Sequence, residues 1–510
     1  MGIDIGTTSV KTIICDYNGR IIYSTSESQN LYSKQSGWAE ENPEEWWENT
    51  KKTINSCFEN TNINPNEVDA VGVTGMLPAL VLLDKNNNIL RRSIQQNDAR
   101  TVKELDYIKD QLNEEKFFEI TGGSINQQLI GPKIMWIKEN EPKIYNQIDN
   151  IFGSYDFINY KLTGNKVVEH NWALESGLLN INNKQWDNKL LELFQIDEKW
   201  LPDIKESSKI IGEVTNEAAD ATGLLSGTPV VAGVADHVSS AFTAGVIEEG
   251  DLNIKIGGAG DILISLDKLV TDPRLFIDYH AIPNKYMING CMAASGSLLK
   301  WFIKEFCQLE HLYKFEGNID KVFSYFNDKA FAVNCGSEGI IILPYFLGEK
   351  TPIHNPKARG VIFGLGLHHK KEHLYRAIME SIAYGFKHHV DILKERNLKI
   401  NNVIVTDGGA KSKVWRSILA DVIGVPIKNL KNHPGSSLGA AFIAGMGINK
   451  FKDYSEIKDY IKVDEVIKPN SKNNKIYKQY YELYLSIYKD LNNNKRFDQL
   501  NQILNYKESN

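Results

Sequence analysis

Near the N-terminus a carboxylate and a run of hydroxyls stand in the order Asp4-Ile5-Gly6-Thr7-Thr8-Ser9-Val10-Lys11. Gly2-Ile3 reads as the start of a strand and Val10-Lys11-Thr12-Ile13-Ile14-Cys15 as a second β-rich run, so the segment between them reads as a hairpin turn. Backbone N–H groups in such a turn can face a phosphate, and the hydroxyls of Thr7, Thr8 and Ser9 add donors. Asp4 suits a divalent cation, held usually through water; its plainer role is that of a buried turn acid. Lys11 is either a solvated lysine or, beside a phosphate turn, an offset to anionic charge. Strand–turn–strand order excludes a P-loop and a Rossmann turn, since both lead from a glycine-rich turn into a helix.

A second candidate is Asp236, at the end of the wholly apolar run Pro229-Val230-Val231-Ala232-Gly233-Val234-Ala235. That run reads as an internal parallel strand, and ligands bind at the carboxyl ends of such strands. With small residues and His237 around it, Asp236 suits a general base acting on a substrate hydroxyl. The alternative is an Asp that caps a helix starting at Val238. Two glycine clusters follow. Gly257-Gly258-Ala259-Gly260 reads as a hairpin turn that repeats the plan of the first, and Gly408-Gly409 sits at a strand–helix junction. There the glycines serve either close packing or the approach of an adenine or ribose to the backbone.

These residues need a framework of strands and helices. Gly19-Arg20-Ile21-Ile22-Tyr23 reads as a turn and third strand. Asn42-Pro43-Glu44-Glu45-Trp46-Trp47 opens a helix, with Asn42 as cap, Pro43 in the first position and the acids at the positive end. Residues 68–74 and 79–83 read as strands, and 251–264 as strand, glycine turn, strand. Residues 403–410 form a strand-to-glycine junction, with a helix at 414–423 after it. In the tail, 475–491, Ile476, Tyr480, Leu483, Tyr484, Ile487 and Leu491 fall at helical spacing and read as a packing face. Two similar hairpins, one in each half, suggest two related lobes with phosphate between them.

At 510 residues the chain is too long for one core. A net charge of −6 gives no basic footprint for nucleic acid. No apolar run approaches the roughly 20 residues of a membrane span, and no secretory leader is readable. The five cysteines are scattered, without zinc spacing. Reduced thiols in a cytoplasmic protein are the expectation.

The chain resembles the FGGY family of carbohydrate kinases, within the sugar kinase–Hsp70–actin superfamily, over residues 2–447. Its most specific motif is Gly360-Val361-Ile362-Phe363-Gly364-Leu365, followed by His373-Leu374 and Ala377-Ile378-Met379-Glu380. Leu347-Gly348-Glu349-Lys350-Thr351-Pro352, Asp407-Gly408-Gly409-Ala410-Lys411-Ser412, Trp415 and Ala420-Asp421 are equally typical. The resemblance implies an α/β, two-lobed, actin-like ATPase (ribonuclease H-like) fold with an ATP cleft between lobes. The N-terminal lobe would be 1–243, the C-terminal lobe 244–450 and a helical tail 451–510. It implies transfer of the ATP γ-phosphate to a sugar or polyol hydroxyl with Asp236 as base, Thr7, Thr8, Lys11, Gly257 and Gly258 at phosphate, and Mg²⁺ near Asp4 and Asp236. Gly296, Lys300, Gly408, Gly409 and Lys413 fall on the nucleotide side. A small sugar or polyol is the expected partner, with no nucleic acid and no membrane; a homodimer is left open.

The sequence departs from the family pattern in places. The second phosphate turn is usually Gly-Thr-Ser, so Gly258 and Ala259 leave that contact to backbone N–H groups. The sugar loop reads Gly75-Met76-Leu77-Pro78, where xylulokinases carry Met-His and glycerol kinases Arg-Glu in place of Leu77-Pro78. Gln96 replaces a Trp, while Asn97, Asp98 and Arg100 remain. His237 stands where Asn or Gln is usual, and Ile130, ahead of Lys133 and Trp136, occupies a hydroxyl or Pro position. A ketopentose such as xylulose is the first expectation for the substrate. Glycerol or gluconate is the alternative, and a catalytically lapsed nucleotide-binding homologue is another.

Overall fold

Ile3 and Ile5 are fully buried, and the glycines that flank them explain how. A methyl group at Gly2 would lie 1.9 Å from the Ser437 carbonyl oxygen, and one at Gly72 would lie 2.1 Å from that of Ala440. Glycine at both positions lets the helix Ser436–Gly447 settle directly on the strands Gly2–Ile5 and Gly72–Gly75. The computed structural model that shows this describes residues 1–433 and 435–508; Pro434 and the last two residues of the expected tail, 509 and 510, lie outside the described residues. The chain forms two units, each discontinuous in sequence. The first comprises Met1–Ile247, Leu266–Met287 and Pro434–Ile461, the second Glu248–Ser265, Ile288–His433 and Lys462–Asn510.

In the first unit a five-stranded sheet runs Val234–Ala235, Gly72–Gly75, Gly2–Ile5, Ser9–Cys15, Ile21–Ser28. The first three strands are parallel and the last two antiparallel. The helix Pro43–Glu59 packs on the antiparallel side. Its first turn is set as expected: Pro43 occupies the first position and the Asn42 side chain accepts from the Glu44 N–H at 3.2 Å. The expected single strand over 229–235 is two. Pro229–Val231 pairs antiparallel with Ile210–Glu213, and Val234–Ala235 pairs parallel with Gly72–Gly75. The break falls at Gly233, whose φ of 89° an L side chain adopts only under strain. A methyl there would also stand 2.0 Å from the Val73 carbonyl oxygen.

The second unit carries most of the strands Tyr286–Met292 and Gly260–Leu266 and the whole of Asp251–Ile256, Asn402–Thr406, Ile427–Leu430 and Val463–Ile467, adjacent in that order. The long helix Lys371–Glu395 holds Glu380 in its buried face. That carboxylate accepts from Gly336 N–H, the Ser337 hydroxyl, Arg376 Nε and the Tyr477 hydroxyl at 2.8–3.0 Å. In the tail helix, Ser471–Asn493, the face the spacing indicated is inward only in part: Tyr484 is buried and Ile476, Tyr480, Ile487 and Leu491 are half-buried. Tyr477, Tyr481 and Tyr484 are buried, whereas Leu483 is 44% exposed. Tyrosine combines a large apolar ring with a hydroxyl that finds a partner: Tyr477 meets Glu380 and Arg376, and Tyr484 meets Tyr345. Among the described residues no helix is long and apolar enough to cross a membrane.

Candidate active site

Three parallel strands of the first unit end side by side, and each leads into a segment singled out in the sequence. Gly2–Ile5 runs into the turn Gly6-Thr7-Thr8-Ser9, Gly72–Gly75 into Met76-Leu77-Pro78, and Val234–Ala235 into the helix Asp236–Thr243. Asp4 and Val234 are both level with Thr74, so Asp4 and Asp236 belong to one sheet edge, on strands two spacings (about 10 Å) apart. Asp4 faces Lys11 across the hairpin in direct register, and its Oδ2 accepts from the Ser436 hydroxyl. The turn closes with Gly6 N–H donating to Ser9 O at 3.1 Å; Thr7 and Thr8 are exposed and Ser9 half-buried.

Asp236 is the first residue of its helix, preceded by Ala235 in the cap position, so it does not cap a helix starting at Val238. Its carboxylate accepts from the His237 backbone N–H at 2.6 Å and is 38% exposed, open to a substrate at the sheet edge. His237 lies deeper, at 15% exposure. Its Nδ1 is 3.4 Å from Asp236 Oδ1, and its Nε2 is 3.1 Å from Asp278 Oδ2 and 3.5 Å from Glu175 Oε1. Burial acts to lower the His237 pKa, but the Asp278 charge, hydrogen bonds to Asp236 and Asp278, and the Glu175 charge outweigh it, so the pKa rises well above 6.5. Burial and the neighbouring Asp278 charge push Glu175 well above the usual carboxylate range. Glu175 ends the helix His170–Glu175, and Asp278 lies on the strand Phe276–Tyr279. The Asn171 amide fastens that helix to that strand: it donates to Tyr279 O at 3.0 Å and accepts from Tyr279 N–H at 2.7 Å.

The remaining sugar-side candidates are less open. Leu77 and Pro78 are buried and joined by a cis peptide bond. The Pro78 carbonyl accepts from Lys133 Nζ at 3.4 Å, and Gln128 O accepts from the same ammonium at 2.9 Å. Burial lowers the Lys133 pKa to about 7, against a raising influence from Asp98. Asn97 is exposed, but Asp98 is 1% exposed and engaged on both oxygens. It accepts from Ala39 N–H at 2.6 Å and from Arg100 through the backbone N–H, Nε and Nη2 at 2.7–3.0 Å. The Arg100 guanidinium also lies 3.9 Å from the Trp38 ring centre and 4.8 Å from that of Trp136.

In the second unit the turn after Asp251–Ile256 is tied to the helix Gly296–Phe306. Gly257 O accepts from Gly296 N–H at 2.8 Å; Gly258 O accepts from Ser295 N–H and the Ser297 hydroxyl, both at 2.8 Å. A methyl at Gly296 would lie 2.6 Å from Gly257 O. The two glycines at 408 and 409 differ: a methyl at Gly409 would meet Ile256 Cγ2 at 2.2 Å, while one at Gly408 would meet nothing within 4 Å. Gly409 therefore serves close packing and Gly408 leaves open space. Lys300 and Lys413 are exposed, Lys413 as the first residue of the helix Lys413–Ile423.

Glu175, Asp278 and Ser436 were not marked by any sequence motif. Each meets its partner only through folding, and the separation from Ser436 to Asp4 is 432 residues. The apolar Phe276-Ile277 beside Asp278 is the one local signal that a carboxylate there would be buried.

Known proteins resemble this chain over most of its length. Residues 1–243 match the N-terminal domain and 268–448 the C-terminal domain of the FGGY family of carbohydrate kinases. A xylulose kinase from Staphylococcus epidermidis is 32% identical over 96% of both chains. The structure of a xylulose kinase from Rhodospirillum rubrum superposes with a TM-score of 0.89 at 37% identity, covering 96% of this chain and 98% of that one. A gluconate kinase structure from Lactobacillus acidophilus gives 0.88 at 26% identity, covering 96% and 97%. The expected mixed α/β fold of the sugar kinase, actin-like ATPase type is borne out. The chain belongs to the FGGY family of carbohydrate kinases, ATP-using phosphotransferases that act on small sugars and related alcohols.

Proposed function

We propose that this kinase phosphorylates a ketopentose of the xylulose class, with Asp236 as general base. The observation that carries the mechanism is the placement of Asp236 at a sheet edge beside the phosphate turn, with its carboxylate part-exposed and steadied by the His237 N–H. Asp236 accepts the proton of the attacking hydroxyl as that oxygen meets the γ-phosphorus. Thr7, Thr8 and Ser9, with the turn's N–H groups, donate to the transferred phosphoryl, and Lys11 offsets its charge. In the second unit, Gly257 and Gly258 offer backbone N–H groups to phosphate. Gly296, Lys300, Gly408, Gly409 and Lys413 are the proposed nucleotide contacts. On the sugar side the proposed contacts are His237, Asn97 and the Leu77-Pro78 loop. Asp98 shapes that region by fixing Arg100.

Asp4 and Asp236 fit a hard divalent ion: two carboxylates on one edge, one of them held by a hydroxyl donor. Mg²⁺ held by these two carboxylates would supply positive charge to neutralise the phosphates. The five free thiols are consistent with a cytoplasmic location.

Support for the substrate is the full-length similarity to xylulose kinases at 32% and 37% identity. Gluconate is the second reading, on the likeness to the gluconate kinase structure. A coupled ADP-release assay over xylulose, gluconate and glycerol tests both. The expected result is the highest kcat/KM with xylulose; a preference for gluconate or glycerol overturns the first reading. Asp236→Asn is expected to abolish sugar-dependent ADP release while nucleotide binding persists, and near-normal turnover would sink the assignment of the base.

A further inference from the structure

One cluster beside the base enters the mechanism above only through His237. Glu175, His237 and Asp278 offer three ligand atoms, all within 4.8 Å of one another. Asp278 is fully buried, and its Oδ1 has no hydrogen-bond partner; neither has the buried Oε1 of Glu175. Two acceptor atoms of the group, Asp278 Oδ1 and Glu175 Oε1, are thus unmet in a buried place, a costly arrangement.

A divalent ion would meet those acceptors. Bonds of about 2.0–2.2 Å to nitrogen and oxygen put neighbouring ligand atoms roughly 3–3.5 Å apart. The observed separations from His237 Nε2, 3.1 Å to Asp278 Oδ2 and 3.5 Å to Glu175 Oε1, already have that size. The other ring nitrogen, Nδ1, faces Asp236 Oδ1 at 3.4 Å, and metal-ligating histidines characteristically turn their second nitrogen to a carboxylate. A mixed set of one imidazole and two carboxylates suits Zn²⁺ or Mn²⁺ better than Mg²⁺. We propose that Glu175, His237 and Asp278 form a site for a divalent transition-metal ion, separate from the Mg²⁺ site at Asp4 and Asp236. The proposal does not depend on which sugar is phosphorylated or on Asp236 being the base.

Calorimetry with Zn²⁺ on untagged, metal-stripped protein, without nucleotide or sugar, tests it. One Zn²⁺ per chain is expected, with proton release. Glu175→Gln and Asp278→Asn should each weaken binding by more than the roughly 10–100-fold that loss of an outer partner costs. Asp4→Asn should leave Zn²⁺ affinity unchanged. Because a buried-acid variant can fail to fold, X-ray absorption on the Zn²⁺-loaded wild type is the second measurement. One imidazole among oxygen ligands supports the site. Absence of stoichiometric binding, binding that survives Glu175→Gln, or a sulfur-ligated or imidazole-free ion overturns it. Sugar phosphorylation that depends on Asp236 would stand in any of these cases.

Discussion

The two glycine hairpins share a plan and differ in chemistry. In the first, Asp4 on the leading strand stands opposite Lys11 on the returning strand; in the second, Lys255 leads and Asp261 returns. The charge order is reversed. The turns differ too. The first has three hydroxyl residues, two of them exposed, and closes on itself through Gly6 and Ser9. The second has no hydroxyls, and its carbonyls are taken by the N-terminal amides of the helix Gly296–Phe306. One turn presents side chains, while the other gives its backbone oxygens to a helix and has only N–H groups to offer a ligand. A repeated backbone plan therefore does not repeat the chemistry: the leading position holds the carboxylate of Asp4 in one hairpin and the ammonium of Lys255 in the other.

The largest test of that contrast is the paired removal of the two carboxylates. Asp4→Asn is expected to lower kcat by about 10²–10³, the scale for loss of one preorganised charge-stabilising group. Asp261→Asn, at the returning position of the second hairpin, is expected to cost less than tenfold. Equal losses in steady-state kinetics would show that the hairpins are functionally alike and break the comparison.

The second test concerns how each turn is held. Gly296→Ala places a methyl 2.6 Å from Gly257 O, a backbone atom that cannot swing aside. A loss of about 1–3 kcal/mol in stability is expected, with a raised KM for ATP as the turn shifts. Gly258→Ala, which would meet nothing within 4 Å, should stay within about 0.5 kcal/mol of wild type. Denaturant melts and ATP kinetics on the two variants check this; equal stability would mean that the helix does not brace the turn.

The same logic separates the paired glycines at the strand–helix junction. Gly409→Ala collides with Ile256 Cγ2 at 2.2 Å and should lose about 1–3 kcal/mol, while Gly408→Ala should be neutral to folding. A rise in ATP KM for Gly408→Ala alone would assign the open glycine to the nucleotide.

Local order carried most of what could be read in advance. The hairpin at Asp4, the capped helix after Asn42 and the carboxylate after Ala235 are contiguous signals, and each is in place. What sequence order misses are groups whose neighbours are distant. Asn171 fastens the helix His170–Glu175 to the strand Phe276–Tyr279, which brings Glu175 and Asp278 to His237, and no spacing rule connects those segments. The tail helix was misread for a different reason. Its buried stripe, Tyr477, Tyr481 and Tyr484, shares only Tyr484 with the residues the spacing picked out, because the hydroxyls of Tyr477 and Tyr484 find buried partners in Glu380 and Tyr345. At Gly233 an unbroken apolar run concealed a left-handed residue that splits the strand.

The smallest expected effect concerns the hydroxyls themselves. If side chains at the first turn do the work that backbone does at the second, Thr8→Ala removes a donor to charged phosphate, worth about 1.5 kcal/mol. That predicts roughly a tenfold loss in kcat/KM for ATP, with no change in melting temperature because Thr8 is exposed. Ala259→Ser restores a hydroxyl to the second turn at an exposed position. It should gain less than about threefold, since a new side chain must lose rotamer freedom to donate where the backbone N–H groups already serve. In the double variant Ala259→Ser should not rescue Thr8→Ala, because the hydroxyls belong to hairpins with different duties. Full rescue would mean that the phosphate reads total hydroxyl count, and the asymmetry between the turns would then be a matter of sequence drift with no mechanistic content.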